Sequence, residues 1–345
     1  IRNNKKTKII EILENYCRRN EFKKEEYLLE NVNTRQYEEK KKKKAEGHTR
    51  AFIKIQDGCN QFCSYCIIPY TRGRIRSRRP EEIIAETERL VGLGYQEIVL
   101  TGIHLSSYGI DFPENEKEDL LGLMTQLDKI QELKRMRLGS LEPRIITEDF
   151  AKALSNLRTI CPHFHLSLQS GCNQILKKMN RHYSTEEYEE ACHILRTWFP
   201  NPAITTDVIV GFPQETEEEF EETLTFAKKI QFYEMHIFKY SKRAGTKAAI
   251  MEGQIEDAVK SLRSERLLQA EAKMSLEYRR SFLGQRCEIL MEEKIRINGI
   301  EYLVGHSKEY VKAAILWDEK KKGKIIVGIL ERMLTDEVLL LTEIL

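Results

Sequence analysis

The chain has 345 residues, 41% apolar and 32% charged, with 56 Lys and Arg against 54 Asp and Glu for a net charge of +2. That length holds two domains or one with an appendage, and the balance excludes a disordered, collagen-like or membrane-spanning chain. No apolar run approaches bilayer length and the first six residues carry no signal-peptide core, so a soluble, cytoplasmic protein with no membrane partner is expected.

In chain order, residues 5–19 read as a helix and the lysine-rich stretch to residue 46 as a linker, too little to form a domain. Residues 51–56 (AFIKIQ) alternate as a strand does and run into Asp57-Gly58. Residues 81–93 have helical spacing and stop at Gly94, and residues 97–101 (EIVLT) read as a buried strand closed by Gly102. The order then repeats: helix near 117–133, strand 135–140, helix 147–157, strand 163–169, helix 184–199, strand 203–211, helix 216–230, strand 234–240. Six strands alternating with helices predict an α/β fold of parallel units joined by right-handed crossovers. Six units in about 190 residues fit an open, partial (β/α)6 barrel better than a closed eightfold one.

Residues 254–282 form a long amphipathic stretch that closes the repeat. Beyond Gln285 come short β-rich segments at 287–291, 302–305, 310–315, 324–330 and 337–341. They predict a small C-terminal β-barrel of roughly sixty residues, the size of an oligonucleotide-binding module. The expected divisions are 1–46, 47–283 and 284–345. The opening Ile, in place of Met, is expected of a fragment or trimmed chain.

Charge is unevenly spread. Residues 1–50 hold 15 Lys and Arg against 9 acids, including the run Lys40 to Lys44, which reads as a solvated linker. Residues 67–80 hold five arginines (Arg72, Arg74, Arg76, Arg78 and Arg79) and no acid, a stripe suited to a polyanion.

Eight cysteines stand at 17, 59, 63, 66, 161, 172, 192 and 287. Five are scattered and read as small core residues. Cys59, Cys63 and Cys66 form C-x3-C-x2-C directly after the first strand, a spacing that brings three thiolates to one soft metal centre. Zinc would want a fourth ligand, with His48 or His104 as candidates. An iron–sulfur cube held by three cysteines instead leaves one iron open. That iron can chelate the amino and carboxylate groups of S-adenosylmethionine, whose reductive cleavage yields a radical able to abstract hydrogen from an unactivated C–H bond.

The segment CNQFCSYC, residues 59–66, with Tyr65 before the third cysteine, resembles the signature of the radical S-adenosylmethionine (radical SAM) superfamily. The resemblance implies a [4Fe-4S] cluster on Cys59, Cys63 and Cys66, and Tyr65 packed near the adenine of S-adenosylmethionine. Further segments resemble the methylthiotransferases of that superfamily: IIPYTRGR at 67–74 with Ser77-Arg78, Gln169-Ser170-Gly171, LKKMNRHY at 176–183, DVIVGFP at 207–213 and YSKRAG at 240–245. Residues 284–345 resemble the TRAM domain that ends these enzymes and grips RNA. Thr101-Gly102-Ile103-His104 with Tyr108-Gly109 is similar to the branch acting on N6-threonylcarbamoyladenosine at tRNA position 37. The sister branches act on isopentenyladenosine in tRNA or on ribosomal protein S12.

The resemblance implies replacement of hydrogen at C2 of that base by a methylthio group, with two molecules of S-adenosylmethionine, an electron donor and the anticodon loop of tRNA as partners. Arg72, Arg74, Arg76 and Arg78, with the C-terminal barrel, are the expected RNA contacts. The family's second [4Fe-4S] cluster is expected in a domain preceding Ile1, of which residues 1–46 resemble only the tail; Cys17 matches none of its ligands. A non-catalytic, zinc-dependent RNA-binding protein is the rival reading.

Other cofactor-binding candidates lie at strand ends. Gln169 and Ser170, and Ser140 and Glu142 one unit earlier, are expected to meet the ribose or methionine part of S-adenosylmethionine, though polar residues there also cap helices. Gly211 allows close backbone approach to a ligand, or simply ends its strand. Arg181 meets a carboxylate or phosphate, or forms a surface ion pair. His163 and His165 read as core histidines. His104 stands at the active face without an acid–base assignment, and no residue is assigned one.

Overall fold

The computed structural model describes Glu14 and residues 49–344. Glu14 apart, the expected helix at 5–19, Cys17, the Lys40 to Lys44 run and His48 lie outside the described residues.

Alternation in RAFIK forms β1 (Arg50–Lys54), with Ala51 and Ile53 buried, and the chain continues into β2 (Gln56–Asp57). After the cysteine loop come a short helix α1 (Ile68–Arg72) and β3 (Arg76–Ser77), which pairs with β2. Helix α2 (Pro80–Gly92) starts on Pro80, whose missing N–H costs nothing in a first turn, and buries Ile83, Thr87 and Leu90 on one face. Then follow β4 (Glu97–Thr101), α3 (Leu120–Asp128), β5 (Arg135–Leu138), α4 (Glu148–Ser155) and β6 (His163–His165). The order continues with α5 (Asn173–Lys178), α6 (Thr185–Trp198), β7 (Ala203–Val210), α7 (Glu217–Ile230), β8 (Glu234–Lys239) and α8 (Asp257–Arg280). Helices α6 and α7 both open on capping boxes, Ser184 with Glu187 and Thr216 with Glu219. The acid-rich stretch at 215–222 is largely the first turn of α7, where carboxylates favour the helix dipole.

The six expected parallel strands are present. β1, β4 and β5 form one parallel sheet and β6, β7 and β8 another. Single parallel bridges, Met136 to Ile160 and Leu141 to Leu166, join the two between β5 and β6. The strand expected over 163–169 is only three residues long, because Gln169 takes a left-handed backbone with φ of 70° and Leu166 to Gln169 pair by isolated bonds. The helix expected near 117–133 is α3, begun by the Asp119 cap.

The C-terminal segment is a closed barrel ordered β10-β11-β13-β12-β9, from β9 (Arg286–Ile297), β10 (Ile300–His306), β11 (Lys312–Leu316), β12 (Ile325–Met333) and β13 (Leu339–Glu343). β9 is far longer than the expected 287–291, because its hairpin with β10 through Asn298-Gly299 carries charged, solvent-facing residues that break the apolar pattern.

A buried charge network ties this barrel to the parallel sheet. Glu97 is 1% exposed and faces Arg137 at 3.0 Å, Arg50 at 3.7 Å and Arg135 at 3.8 Å. Arg135 donates to the backbone oxygens of His306 (2.9 Å) and Glu288 (2.7 Å), and Arg137 to those of Lys308 (2.9 Å) and Ser307 (3.3 Å). Arg50 pairs with Glu292 of the barrel. Tyr310 is stacked between His163 and His306, with ring centroids 5.0 and 4.4 Å away. His163 is thus enclosed where the sheet meets the barrel; burial and the neighbouring Arg137 hold its imidazole well below the ordinary range. No helix among the described residues is long and apolar enough to cross a membrane.

Candidate functional site at the cysteine loop

The cysteine loop hangs from the C-terminal ends of the strands. Gln56, fully buried, holds its root: its Nε2 donates to the oxygens of Asp57 and Gly58, and its Oε1 accepts the amides of Ile103 and His104 at 2.9 Å each. Gly58 has φ of 72°, and a Cβ there would fall on the Arg74 carbonyl. Only glycine fits this crossing. Cys59 then donates to Gly73 O (3.1 Å), Ser64 donates to Met179 O (2.9 Å), and Ala248 donates to Ser64 O (2.8 Å). Asn180 Nδ2 fastens the oxygens of Gln61 and Phe62 at 3.2 and 3.1 Å.

The loop's amides and carbonyls are thus engaged while Cys59, Cys63 and Cys66 stay free thiols. Burial, joined by the nearby Cys63 and Cys66, pushes the Cys59 thiol up to about 11 against the Gln61 amide and Arg181. Burial and Cys63 raise Cys66 as well, against the Ile68 amide and two arginines. Arg181 Nη1 lies 3.3 Å from Cys63 Sγ, its Nε donates to Tyr183 Oη at 3.1 Å, and Tyr183 Oη donates to Ser167 O and Leu168 O. Thiols raised in this way, as Cys59 and Cys66 are, become good ligands once a cationic centre replaces their protons. Among the described residues, no three His, Cys, Asp or Glu side chains are gathered tightly enough to hold one metal ion. A cubane makes a looser demand, since each thiolate binds a different iron, and three thiols within electrostatic reach of one another are the donor set it takes.

Several expected residues meet at this loop. Glu142 is buried, with Gln61 Nε2 and His104 Nε2 each 3.4 Å from its Oε2 and Arg144 3.7 Å from its Oε1. Burial alone would raise its carboxyl, but the His104 hydrogen bond and charge, with Arg181 and Arg144, hold it below the usual range. His104 Nδ1 lies 2.6 Å from Ser107 Oγ, which fixes the ring. Tyr65 is half-buried and packs against a cluster holding Cys172, Phe212 and Tyr240. Burial, then Cys63, push its phenol well above the ordinary range. Tyr240 Oη in the same cluster is buried without a hydrogen-bond partner, the kind of orphaned polar atom a bound nucleoside can satisfy.

Other expected residues do not. Ser170 is fully buried, its Oγ 3.1 Å from Thr223 Oγ1 and accepting the Cys172 amide, so its hydroxyl fixes the turn onto α7. The close approach at Gly211 (φ 69°) is to Lys260, whose Cγ a Cβ would strike, and its amide goes to Glu215 Oε2. Ser140 is exposed, and Gln169 is buried with its backbone bonded to β7.

The arginine stripe divides. Arg78 is 4% exposed and committed to Glu82 and Glu86 on α2, so it carries structure and not phosphate. Acids absent from 67–80 are supplied in space: Asp57 lies 3.4 Å from both Arg72 and Arg76. Arg74 is exposed and lies over Phe62 (4.6 Å), which is edge-on to the exposed Tyr70 at 5.7 Å. Sequence reasoning left open Arg181, resolved here as the cation on Cys63. It missed the Gln61–His104–Glu142 contact, which joins three loops and has no local signature.

The chain belongs to the radical SAM superfamily, whose family model matches residues 53–227. Within it, the chain resembles tRNA methylthiotransferases. It is 42% identical over 280 residues to the Threonylcarbamoyladenosine tRNA methylthiotransferase MtaB of Bacillus subtilis (strain 168), covering 81% of this chain and 61% of that one. It is 45% identical over 249 residues to the tRNA-2-methylthio-N(6)-dimethylallyladenosine synthase of Thermoanaerobacter sp. (strain X514), covering 72% of this chain and 52% of that one. The chain thus spans about half to three-fifths of the length of these curated relatives. Among solved structures, the radical S-adenosylmethionine methyltransferase TsrM from Kitasatospora setae is similar with a TM-score of 0.49 at 17% identity, covering 58% of this chain and 38% of that one.

Proposed function

We propose that this chain carries the radical SAM core and RNA-binding end of a tRNA methylthiotransferase that converts N6-threonylcarbamoyladenosine at position 37 to its 2-methylthio derivative in the cytoplasm. The observation that carries the reading is the gathering of Cys59, Cys63 and Cys66 into one loop at the C-terminal strand ends, with Arg181 on Cys63 and Tyr65 beside it. The proposed divisions are 47–283, a partial barrel of six parallel strands, and 284–345, a TRAM-like barrel, after a linker ending at 46.

Cys59, Cys63 and Cys66 would hold a [4Fe-4S] cluster whose fourth iron binds S-adenosylmethionine; when bound, it supplies the electron that cleaves that molecule. Tyr65 and Tyr240 line the adenine side. Glu142, kept ionised by His104 and Arg181, offers an acceptor to the methionine ammonium or a ribose hydroxyl. Arg181 balances the charge of the Cys63 thiolate. Arg72, Arg74 and Arg76 face phosphates of the anticodon loop, where unstacked bases are splayed out. An external electron donor and a second cluster outside these residues complete the reaction.

Nucleoside mass spectrometry of tRNA from a strain lacking the gene tests this. Loss of 2-methylthio-N6-threonylcarbamoyladenosine is expected. Loss of the isopentenyl-derived nucleoside instead would move the chain to the sister branch, whose relative is the more identical of the two over a shorter span.

A further inference from the structure

Side chains alternate across a strand, so the two faces of the parallel sheet can be told apart residue by residue. On β7, Ile204, Val208 and Val210 join the main apolar core with the helices. Ala203, Thr205, Asp207 and Ile209 therefore face the other way. Register places His163 and His165 beside Ala203 and Thr205, and Glu234, His236 and Phe238 beside Thr205, Asp207 and Ile209.

This face has three levels. At the bottom, Ala203 packs with Ile289 and Leu303 of the C-terminal barrel. At the top, Ile209 packs with Phe212, Tyr240 and Tyr65 beside the cysteine loop. Asp207 lies between them, two residues or about 6–7 Å below Ile209.

At the middle level one carboxylate holds two imidazoles. Asp207 Oδ2 is 3.3 Å from His165 Nε2, and its Oδ1 is 3.4 Å from His236 Nδ1. His165 Nδ1 lies 3.0 Å from Thr205 Oγ1, so both its nitrogens are used. His165 is thus no core histidine. His236 differs: its side chain is 63% exposed, and among the described residues only its Nδ1 is engaged. The Phe238 ring stands perpendicular to it at 6.4 Å and is 52% exposed. An imidazole oriented through Nδ1 by a carboxylate presents Nε2 outward, and an anionic ligand selects the form in which that nitrogen donates.

We propose that His236, oriented by Asp207, is a specificity-determining residue that recognises the N6 substituent of the target adenosine, and that it fits a substituent ending in a carboxylate. This rests on the reading of the chain as an enzyme acting on tRNA adenosine. Phe238 offers the base an apolar edge. A hydrocarbon substituent at this level would leave a desolvated polar pair unmatched, whereas a carboxylate takes the Nε2–H.

The test is binding of the protein to three synthetic anticodon stem–loop RNAs by fluorescence anisotropy. They differ only at N6 of the target adenosine, which carries threonylcarbamoyl, isopentenyl or hydrogen. The protein should prefer the threonylcarbamoyl RNA by about tenfold or more, the worth of one hydrogen bond to a charged group. His236→Leu should erase that preference without changing the salt dependence of binding, and His236→Gln should keep part of it. Because His236 is exposed, the substitution leaves packing intact; Asp207→Ala, which frees the ring without removing it, should weaken the preference as well. Retention of the full preference in His236→Leu would overturn the inference while leaving the tRNA reading in place. Failure of the unaltered protein to bind any of the three RNAs would overturn the tRNA reading itself.

Discussion

Replacing Glu97 by Gln tests whether the charge network between the parallel sheet and the C-terminal barrel is a latch. Glu97 is 1% exposed and lies within 3.0 to 3.8 Å of three guanidiniums, two of them almost fully buried. Once that charge is gone, Glu292 still faces Arg50, and among the described residues no other carboxylate pairs with Arg135 or Arg137. Stranding buried charge by removing one partner costs about 3–5 kcal/mol. The amide keeps one contact to Arg137, so a loss of about 3 kcal/mol is expected. At roughly 2–4 °C per kcal/mol for a body of this size, the melting temperature should fall by about 6–12 °C. Urea and thermal unfolding of the cluster-free protein, followed by circular dichroism, read this directly. In an Arg137→Met background the same change should cost clearly less, because the closest cation is already gone. A loss below about 1 kcal/mol, or an equal loss in both backgrounds, would refute the latch.

Four further outcomes are expected. Gly58→Ala should displace the root of the cysteine loop, since its Cβ would fall on the Arg74 carbonyl at φ of 72°; iron uptake on anaerobic reconstitution should drop while far-ultraviolet dichroism holds. Arg74→Gln should lower the slope of tRNA affinity against salt by about one counterion. Arg78→Gln should leave that slope alone and cost stability, because its guanidinium is buried against Glu82 and Glu86. Glu292 is held below its ordinary range, since the His306 hydrogen bond and charge, with Arg50, outweigh burial. A depressed carboxyl stabilises the fold above its unfolded value, about 4.3, and that contribution is lost as pH falls through the folded value. Glu292→Gln should therefore be less stable than the unaltered chain near pH 7, with the gap closing below about pH 4 in urea midpoints.

The alternation of strand and helix patterns from residue 51 to 240 was legible because each strand is apolar on at least one face and each helix carries its own cap or stripe. The cysteine spacing was legible because it is local. Arg135 and Arg137 were not, since their partners are backbone oxygens some 150 to 170 residues away. Within the arginine stripe Arg78 departs from the expectation, because Glu82 and Glu86, four and eight residues on along α2, take its guanidinium. Ser170 and Gly211 sit at the expected strand ends, and only the structure shows that the Ser170 hydroxyl turns to Thr223 of α7 and that Lys260 packs on Gly211. Two-residue alternation placed His163 and His165 on one face. Only the register with β7 and β8 revealed that this face is the polar one.

The central claim is that Cys59, Cys63 and Cys66 hold one cluster that cleaves S-adenosylmethionine. Anaerobic reconstitution of this chain, with iron and acid-labile sulfide analysis and assay of 5′-deoxyadenosine under strong reduction, tests it most directly. About four irons and four sulfides per chain are predicted, as for a single cubane, together with 5′-deoxyadenosine formation that Cys63→Ala abolishes. Zinc without sulfide, or full cleavage activity in Cys63→Ala, would contradict the claim.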